Sequence, residues 1–186
     1  MNTLQKLCAA LALAGLACSA QASGNLVITP SSSTTLQGSS FSVDVVGRSF
    51  TDEVVGGGFN LSFDASLFSL DSVTIDASWE FARSGGLIDN ASGTLTDAFF
   101  NTFAAPPTGD FAVARLTFTA KAPGDGVLRL EASPSFPFAN VLAEVIDVSY
   151  GSARMTVTAV PEPATWATLA AGLGLMAAYR RRARQA

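Results

Sequence analysis

Residues 40–63 read SFSVDVVGRSFTDEVVGGGFNLSF, and this stretch decides the fold class of the chain. Phe41, Val43 and Val45 alternate with polar residues, and residues 59–63 repeat the pattern. Alternation with a period of two is typical of a β-strand that buries one face and exposes the other. The stretch therefore predicts two half-buried strands joined by a short connection.

The same pattern continues over residues 25–158, where runs rich in Val, Phe, Leu and Thr are separated by Gly and Pro clusters. Such runs indicate further strands, and no helix of useful length is expected between them. The additional strands are predicted at residues 26–28, 67–76, 111–120, 127–132, 141–148 and 153–159. Two packed antiparallel sheets bury faces of this kind, so we predict an all-β sandwich of about eight or nine strands. A closed barrel is the alternative.

Residues 1–22 have the three parts of a secretory signal peptide. Lys6 lies in a short polar region, residues 7–17 are apolar, and Ala20 and Ala22 supply small residues before a cleavage site. Cleavage after Ala22 is therefore expected, and the folded domain is predicted to cover residues 23–159.

Both cysteines of the chain, Cys8 and Cys18, lie in this leader, and the sequence contains no histidine. Lipidation of Cys18 is an alternative, although residues 15–17 match the small-residue box before a lipidated cysteine poorly. The mature chain would have neither Cys nor His, the residues that supply most nucleophile–base pairs and most zinc, copper and haem ligands. Those chemistries are excluded, and stability must come from core packing and hydrogen-bonded sheets rather than from disulfides.

Acidic residues dominate the predicted domain. Residues 23–160 contain fourteen Asp and Glu against six Arg and Lys, which gives a net charge of minus eight. A surface of this sign repels phosphate backbones, so nucleic acid is not an expected partner.

The last 27 residues, VPEPATWATLAAGLGLMAAYRRRARQA, have three parts. The first is the motif Pro161, Glu162 and Pro163, which two prolines hold in an extended conformation that an enzyme groove can read. The second is the apolar run 164–179, and the third is a basic cluster formed by Arg180, Arg181, Arg182 and Arg184.

The apolar run predicts a single transmembrane helix. Its residues would span roughly 24 Å at about 1.5 Å per residue, slightly less than a hydrocarbon core of about 30 Å. The arginine cluster is expected to stay on the cytoplasmic side, which leaves the domain outside the inner membrane.

This order of motif, apolar run and basic cluster closely resembles the PEP-CTERM sorting domain of Gram-negative bacteria. The resemblance implies that an exosortase-type processing enzyme reads residues 161–163 and that the helix is a temporary anchor. The protein would then reach the cell surface or extracellular matrix. The alternative is an ordinary membrane anchor in which residues 161–163 are a linker.

Three stretches of the domain resemble cohesin-like modules: GSSFSVDVVG at 38–47, VVGGGFNLSFDASLFSLDSVTID at 54–76 and FAVARLTFTAKAPGDGVLRLEAS at 111–133. The resemblance implies a jelly-roll sandwich. The best-known cohesins bind dockerin modules and structural relatives bind carbohydrate, so contact with another envelope protein or with extracellular polysaccharide is expected. No dockerin-contacting residue can be assigned from the resemblance.

An aromatic set lies in the least regular part of the domain and offers a possible platform for stacking on sugar rings. It consists of Trp79, Phe81, Phe99, Phe100 and Phe103. Trp79 is the candidate glycan contact, because it is the only tryptophan before the tail. The favoured alternative is that these side chains close one end of the sandwich.

Five carboxylates offer calcium binding as an alternative: Asp71, Asp76, Glu80, Asp89 and Asp97. Calcium accepts six to eight oxygens from irregular loops, but the spacing does not match an EF-hand, so no cofactor or metal is predicted. Two of these acids could also form a glycosidase pair, although no motif singles one out.

Two local features have simpler interpretations. Asp64 is expected to set a turn through its side chain, as Asx residues do at strand ends. The glycine run 56–58 lacks a downstream Lys and Ser or Thr, so a bulge or close strand approach is favoured over a phosphate cradle.

These observations favour a non-enzymatic surface or matrix protein whose sandwich makes protein or glycan contacts. Two rivals stay open at this point. One is a secreted carbohydrate-active hydrolase, and the other is a purely structural component of a matrix or biofilm.

Overall fold

A computed structural model describes residues 23–160 and five tail positions, 169, 171–173 and 176, which have helical backbone. The predicted signal peptide and most of the predicted sorting tail, including residues 161–163, lie outside the described residues. The domain contains strands β1 Gly24–Thr29, β2 Ser32–Leu36, β3 Ser40–Phe50, β4 Val54–Ser62, β5 Phe68–Ile75, β6 Ala82–Ser84, β7 Leu87–Asp89, β8 Thr94–Asn101, β9 Gly109–Ala120, β10 Gly124–Ala132, β11 Ala139–Asn140, β12 Val148–Tyr150 and β13 Ser152–Thr158.

The strands form two sheets. Sheet A has the order β12-β1-β3-β9-β5, and sheet B has the order β2-β13-β10-β4-β8-β6. In sheet B, β11 also pairs with β4 and β7 pairs with β8. Neighbouring strands are antiparallel except for the parallel pairs β1 with β12 and β2 with β13. The predicted all-β sandwich is confirmed, and the barrel alternative is not adopted.

The alternating residues of the opening stretch fill the space between the sheets. Val43 and Val45 on β3, and Phe59 and Leu61 on β4, are at most 1 % exposed. Burial of one such side chain contributes about 1.5–3 kcal/mol relative to leaving it in water. Phe118 on β9 lies at the centre of a group of rings that includes Phe41, Phe63 and Phe68.

The strand boundaries differ from the predicted ones at two places. The predicted strand at residues 141–148 is wrong, because Asn140 Oδ1 accepts hydrogen bonds from the backbone N–H groups of Leu142 and Glu144 and turns the chain there. β8 was not predicted, because a bulge at Asp97, whose φ is 56°, interrupts its alternation. Short strands such as β6, β7 and β11 raise the total above the predicted eight or nine.

The sandwich has two distinct ends, which strands β3 and β9 connect. Ser40 pairs with Thr119 at one end and Phe50 pairs with Gly109 at the other, which separates the ends by roughly 33 Å at about 3.3 Å per residue. The chain leaves sheet B at Thr158, beside Gln37 and Lys121, and this end is termed the tail end.

The opposite end, termed the aromatic end, contains Ser23, the first described residue of the domain. The Ser23 N–H donates to the Asp147 carbonyl, and the Ser23 carbonyl accepts from the Thr51 N–H. Val54 is bound in the same region to the Pro107 carbonyl. The chain therefore enters the sandwich at the aromatic end and leaves it at the tail end.

Candidate functional site

The glycine run on β4 creates the floor of the candidate site at the aromatic end. A Cβ atom added at Gly57 would lie 2.6 Å from Phe138 Cγ, and one at Gly58 would lie 2.7 Å from Phe136 Cβ. Such distances leave no room for a side chain, so the run allows the segment 133–140 to cross β4 in close contact. The expected close approach is confirmed: both the segment 133–140 and the paired strand β8 lie close to the glycines.

Two serines hold the crossing segment in place. Ser133 Oγ and Ser135 Oγ donate to the two carboxylate oxygens of Asp97, at 2.8 and 3.3 Å. The bulge that interrupts the alternation of β8 thus also turns the Asp97 side chain toward the segment. Phe136 then stacks on Phe99 of β8, with ring centroids 4.4 Å apart.

Trp79 lies beneath this surface, in the core. Its side chain is 1 % exposed, its Nε1–H donates to the Ala112 carbonyl, and its ring contacts Phe100 and Phe111. A buried indole offers no free face to a sugar ring, so the structure disagrees with Trp79 as a glycan contact. The alternative that part of the aromatic set closes one end of the sandwich fits Trp79 and Phe100.

Two members of the predicted set remain in solvent. Phe81 is 66 % exposed and Phe103 is 59 % exposed, and their rings contact each other at 4.7 Å with planes inclined by 71°. We define the aromatic patch as Phe81, Phe99, Phe103, Phe136 and Val141. The patch combines side chains from three segments that are distant in the sequence.

Two shallow hollows lie within the patch. One, of about 300 Å³, is lined by Phe81, Phe99 and Phe136. The other, of about 480 Å³, is lined by Phe103, Pro106 and Val141. Three residues, Val55, Asn101 and Ala139, line both hollows. The buried Oδ1 atom of Asn101 has no hydrogen-bond partner among the described residues.

Glu80 fixes the position of the exposed Phe103. Its Oε1 accepts hydrogen bonds from the backbone N–H groups of Phe103 and Ala104, at 3.1 and 3.2 Å. The Thr102 hydroxyl and these backbone N–H groups lower the pKa of Glu80 to about 2. The Thr102 hydroxyl makes no hydrogen bond of good geometry, so we attribute the lowered pKa of Glu80 to the N–H groups of Phe103 and Ala104. Glu80 stays ionised at neutral pH.

The five acids considered for calcium have separate local partners. Asp71 accepts from the Thr119 hydroxyl, Asp76 from Ser78, and Asp89 from the backbone N–H of Ala91. Glu80 and Asp97 hold the contacts described above. Within residues 23–160, no three carboxylates lie close enough together to hold a metal ion.

Asp64 sets a turn, as expected. Its Oδ1 accepts from both the backbone N–H and the hydroxyl of Ser66, at 2.8 and 2.6 Å. These bonds lower the pKa of the Asp64 carboxyl. Asp76 makes the same pair of contacts with Ser78, so the pattern Asp-x-Ser ends two different strand segments.

A third and larger hollow, of about 820 Å³, borders sheet A and contains charged side chains from two acids and two arginines. The acids are Asp44 and Asp76, and the arginines are Arg83 and Arg115. The Arg115 guanidinium binds both Asp44 oxygens, at 2.8 and 3.1 Å. The Ser78 contacts lower the pKa of Asp76. The Asp76 carboxyl is thus held in the ionised form.

Solved structures with the same fold are cohesin modules. A non-cellulosomal cohesin from Archaeoglobus fulgidus has a TM-score of 0.59 at 12% identity, with 73% of this chain and 91% of that chain covered. A cohesin module of a family 33 glycoside hydrolase from Clostridium perfringens has a TM-score of 0.58 at 16% identity, covering 75% and 100%. The domain is therefore a cohesin-like β-sandwich.

A further cohesin of this fold was solved as a type I cohesin–dockerin complex from Clostridium thermocellum. Its TM-score is 0.55 at 12% identity, with 73% of this chain and 99% of that chain covered. No curated protein sequence matches the chain.

The tail carries a second, independent similarity. Residues 159–184 match the PEP-CTERM protein-sorting motif, which confirms the resemblance noted in the sequence. The motif implies an exported protein that an exosortase-type system sorts at a membrane. The helical positions that the structure describes in the tail form no segment long and apolar enough to cross a membrane.

Proposed function

We propose that this protein is a non-enzymatic component of the cell envelope or extracellular matrix whose sandwich contacts another protein through the aromatic patch. A signal peptidase would remove residues 1–22 after Ala22, with Ala20 and Ala22 as the small residues before the cut. An exosortase-type enzyme would read Pro161, Glu162 and Pro163. During sorting, residues 164–179 would span the inner membrane and the cluster Arg180, Arg181, Arg182 and Arg184 would keep the C-terminus inside.

The exposed ring pair, Phe81 and Phe103, is the observation that supports a contact with another protein. Large apolar side chains that cluster beside hollows in a soluble domain are typical of protein interaction sites. Burial of a ring of this size against a partner contributes several times more than a rim contact, so such pairs are candidates for binding hot spots. Glu80 pins the backbone of Phe103 in advance, which lowers the ordering cost of binding.

The geometry of the patch favours protein over polysaccharide. Stacking on a sugar ring uses a flat aromatic face, but the rings of Phe81 and Phe103 are inclined by 71° and form no common plane. Trp79, the candidate for such stacking, is buried. The dockerin-bound cohesin of the same fold also supports a protein partner.

Hydrolase activity is supported less well. A glycosidase needs one carboxyl kept protonated by a raised pKa beside one that stays ionised. Within the described domain, every carboxyl whose pKa is shifted is shifted downward, as for Asp64, Asp76, Glu80, Asp89 and Asp110. Asp76 in the large hollow, whose pKa is lowered, is therefore poorly suited to be the general acid.

The sorting half is tested in a host that has its own exosortase. Glu162→Ala, or Ala at both Pro161 and Pro163, should block maturation and leave membrane insertion intact, because neither change alters the apolar run. Replacement of Arg180, Arg181 and Arg182 by Ser should instead impair orientation and retention. Intact mass and cell fractionation separate the two defects. A wild-type protein that keeps its full C-terminus and behaves like the Glu162 variant would show that residues 161–163 are only a linker.

The contact half is tested by crosslinking in the same host. A photo-crosslinking amino acid placed at Ala104, beside the patch, should form a discrete protein adduct that mass spectrometry can identify. The matched control is the same amino acid at Leu36, which is exposed at the tail end. Protein adducts at both positions would contradict the proposed protein contact. Saturable binding on a glycan array, with no protein adduct at Ala104, would contradict it as well.

A further inference from the structure

We propose that the partner of the aromatic patch is a protein surface whose apolar side chains are bordered by Lys or Arg. This inference rests on the proposed function and adds the chemistry of the partner. It follows from the charges that surround the patch and from the position of the patch in the sandwich.

Two carboxylates border the patch directly. Glu80 lies next to Phe81 in the sequence and binds the backbone of Phe103. Glu144 accepts a hydrogen bond from Asn140 Nδ2 at 3.0 Å, and Asn140 lines the same hollow as Phe103 and Val141. Both glutamates are exposed, so their charges reach any molecule that covers the patch.

Three further acids lie at the same end of the sandwich. Asp52 and Glu53 form the connection between β3 and β4, and Asp147 receives the Ser23 N–H on its carbonyl. The ion pairs of the described domain are Arg48 with Asp110 and Arg115 with Asp44. None of these five carboxylates takes part in them. In the processed chain the N-terminal ammonium group of Ser23 adds one positive charge at this end, which leaves the aromatic end with a net negative field beside an apolar centre.

The nearest arginine of β6 does not neutralise this field. The Arg83 guanidinium donates to the backbone carbonyls of Ala77 and Trp79, at 3.3 and 2.8 Å, on the side of the large charged hollow. Arg48, the other base in this half of sheet A, is bound to Asp110 at 2.6 Å. A cationic partner would supply the missing positive charges.

The same field argues against a second copy of the chain on the patch. A symmetric dimer through this surface would bring Glu80 and Glu144 of one copy close to the same acidic surface of the other. Like charges in close contact are unfavourable by up to several kcal/mol, and an apolar patch of this size offers little to offset them. The charge pattern thus selects a different protein.

The described side chains of the chain's own tail do not occupy the patch. The tail leaves the sandwich at Thr158, roughly 33 Å from the patch at about 3.3 Å per residue of β9. Leu169, Leu173 and Met176 are each more than half exposed, so these described tail side chains are not seated on the aromatic patch. The patch is therefore open to a partner that approaches from the side opposite the attachment of the tail.

The experiment uses the processed protein isolated from its host and three immobilised 12-residue peptides. These peptides alternate Phe with Lys, Phe with Glu, and Ser with Lys. The Phe–Lys peptide should bind at least ten times more tightly than the other two, because it alone matches both the patch and its charge. A rise in salt should weaken that binding several-fold through screening.

Variants locate the binding. Phe81→Ser with Phe103→Ser should lower the affinity for the Phe–Lys peptide at least tenfold, and Asp52→Asn with Glu53→Gln should lower it a few-fold. Leu87→Ser is the matched control, because Leu87 is 72 % exposed on β7 and lies outside the patch. It should leave the affinity unchanged.

Several results would overturn the proposal. Equal binding of the Phe–Glu peptide, no binding at all, or no effect of the double Phe variant would each do so. A dimer that the double Phe variant dissociates would assign the patch to a second copy, and binding that appears only after removal of residues 160–186 would assign it to the tail. A specific protein adduct at Ala104 without a preference for the Phe–Lys peptide would leave the proposed function intact and remove only the cationic partner.

Discussion

The two ends of the sandwich are built differently from the same two sheets. At the tail end, β2 is followed by β3 after residues 37–39, and β9 by β10 after residues 121–123. At the aromatic end, residues 102–108, 133–138 and 141–147 form longer connections. Short turns give an end with little surface of its own, whereas longer connections carry the exposed rings and the hollows.

Asp-x-Ser turns occur toward both ends, but the glycines at residues 38, 57 and 58 are constrained for different reasons. The tail end uses backbone conformation and local capping, with Gly38 at φ 80° and Asp64 bound to Ser66. The aromatic end uses close contact, with Gly57 and Gly58 under the rings of the crossing segment. The segment that contributes Phe136 to the aromatic patch therefore also contributes Phe138 to the core, and the glycines of β4 leave room for both rings.

The largest change in the free energy of unfolding is expected when a buried aromatic residue of the aromatic end is removed, in contrast to an exposed one. Trp79→Ala should destabilise the domain by about 3–5 kcal/mol, because it leaves a cavity between Phe100 and Phe111. The Phe81→Ser variant should change stability by no more than about 0.5 kcal/mol, because Phe81 is exposed. Urea unfolding of both variants measures the contrast. Similar losses for the two would mean that the patch is part of the core and not a free surface.

A second pair of substitutions compares the glycines of the two ends. Gly57→Ala should cost about 1–3 kcal/mol, because the new Cβ would overlap the buried Phe138 ring. Gly38→Ala should cost about 1–2 kcal/mol for a different reason, since the site is open but φ is 80°.

Asparagine distinguishes these two causes. Gly38→Asn should recover much of the Gly38→Ala loss, because Asn tolerates positive φ. Gly57→Asn should be worse than Gly57→Ala, because the side chain is larger. Thermal unfolding of the four variants gives the comparison. If Asn behaved like Ala at residue 38, backbone conformation would not be what constrains the tail end.

The smallest effect is the part of the pH dependence of stability that Glu80 contributes. The pKa of Glu80 is lowered from 4.5 to about 2, so its stabilising contribution is present above pH 4.5 and is lost as the pH falls toward 2. Glu80→Gln should therefore reduce the fall in the free energy of unfolding between pH 4.5 and pH 2. Above about pH 5 it should change the pH dependence of that free energy less. Unfolding curves at several pH values test this. An unchanged acid slope would show that the contacts of Glu80 with Phe103 and Ala104 do not favour its ionised form.

Much of the fold could be predicted from residues that obey a simple period. The strands around Val43 and Phe59 follow the alternation, and the Asp64 turn follows from local side-chain chemistry. The tail was recognisable because its three parts occur in a fixed order. By contrast, the bulge at Asp97 shifted the alternation of β8 by one residue, and only the pairing with β4 reveals the register.

The site was less predictable for a related reason. The aromatic set was visible in the sequence, but periodicity does not show which rings face solvent in an irregular strand. Trp79 was the candidate glycan contact, but it lies in the core, as the favoured alternative implied, while Phe81 and Phe103 meet because β6 pairs with β8. The run of three glycines, together with the distant segment Ser-Pro-Ser-Phe-Pro-Phe at 133–138, was the available signal that a loop crosses a strand.

The most direct test of the account asks which end of the sandwich lies near the membrane while the tail is still attached. Because the domain has no cysteine, Ala104→Cys at the aromatic end and Leu36→Cys at the tail end can each carry one donor dye, with the leader removed. Unprocessed protein is reconstituted in vesicles that contain acceptor-labelled lipid, and energy transfer is measured for both variants. If the tail end lies near the membrane and the aromatic end points away from it, energy transfer should be strong from residue 36 and much weaker from residue 104. Equal transfer from the two sites, or stronger transfer from residue 104, would contradict this orientation.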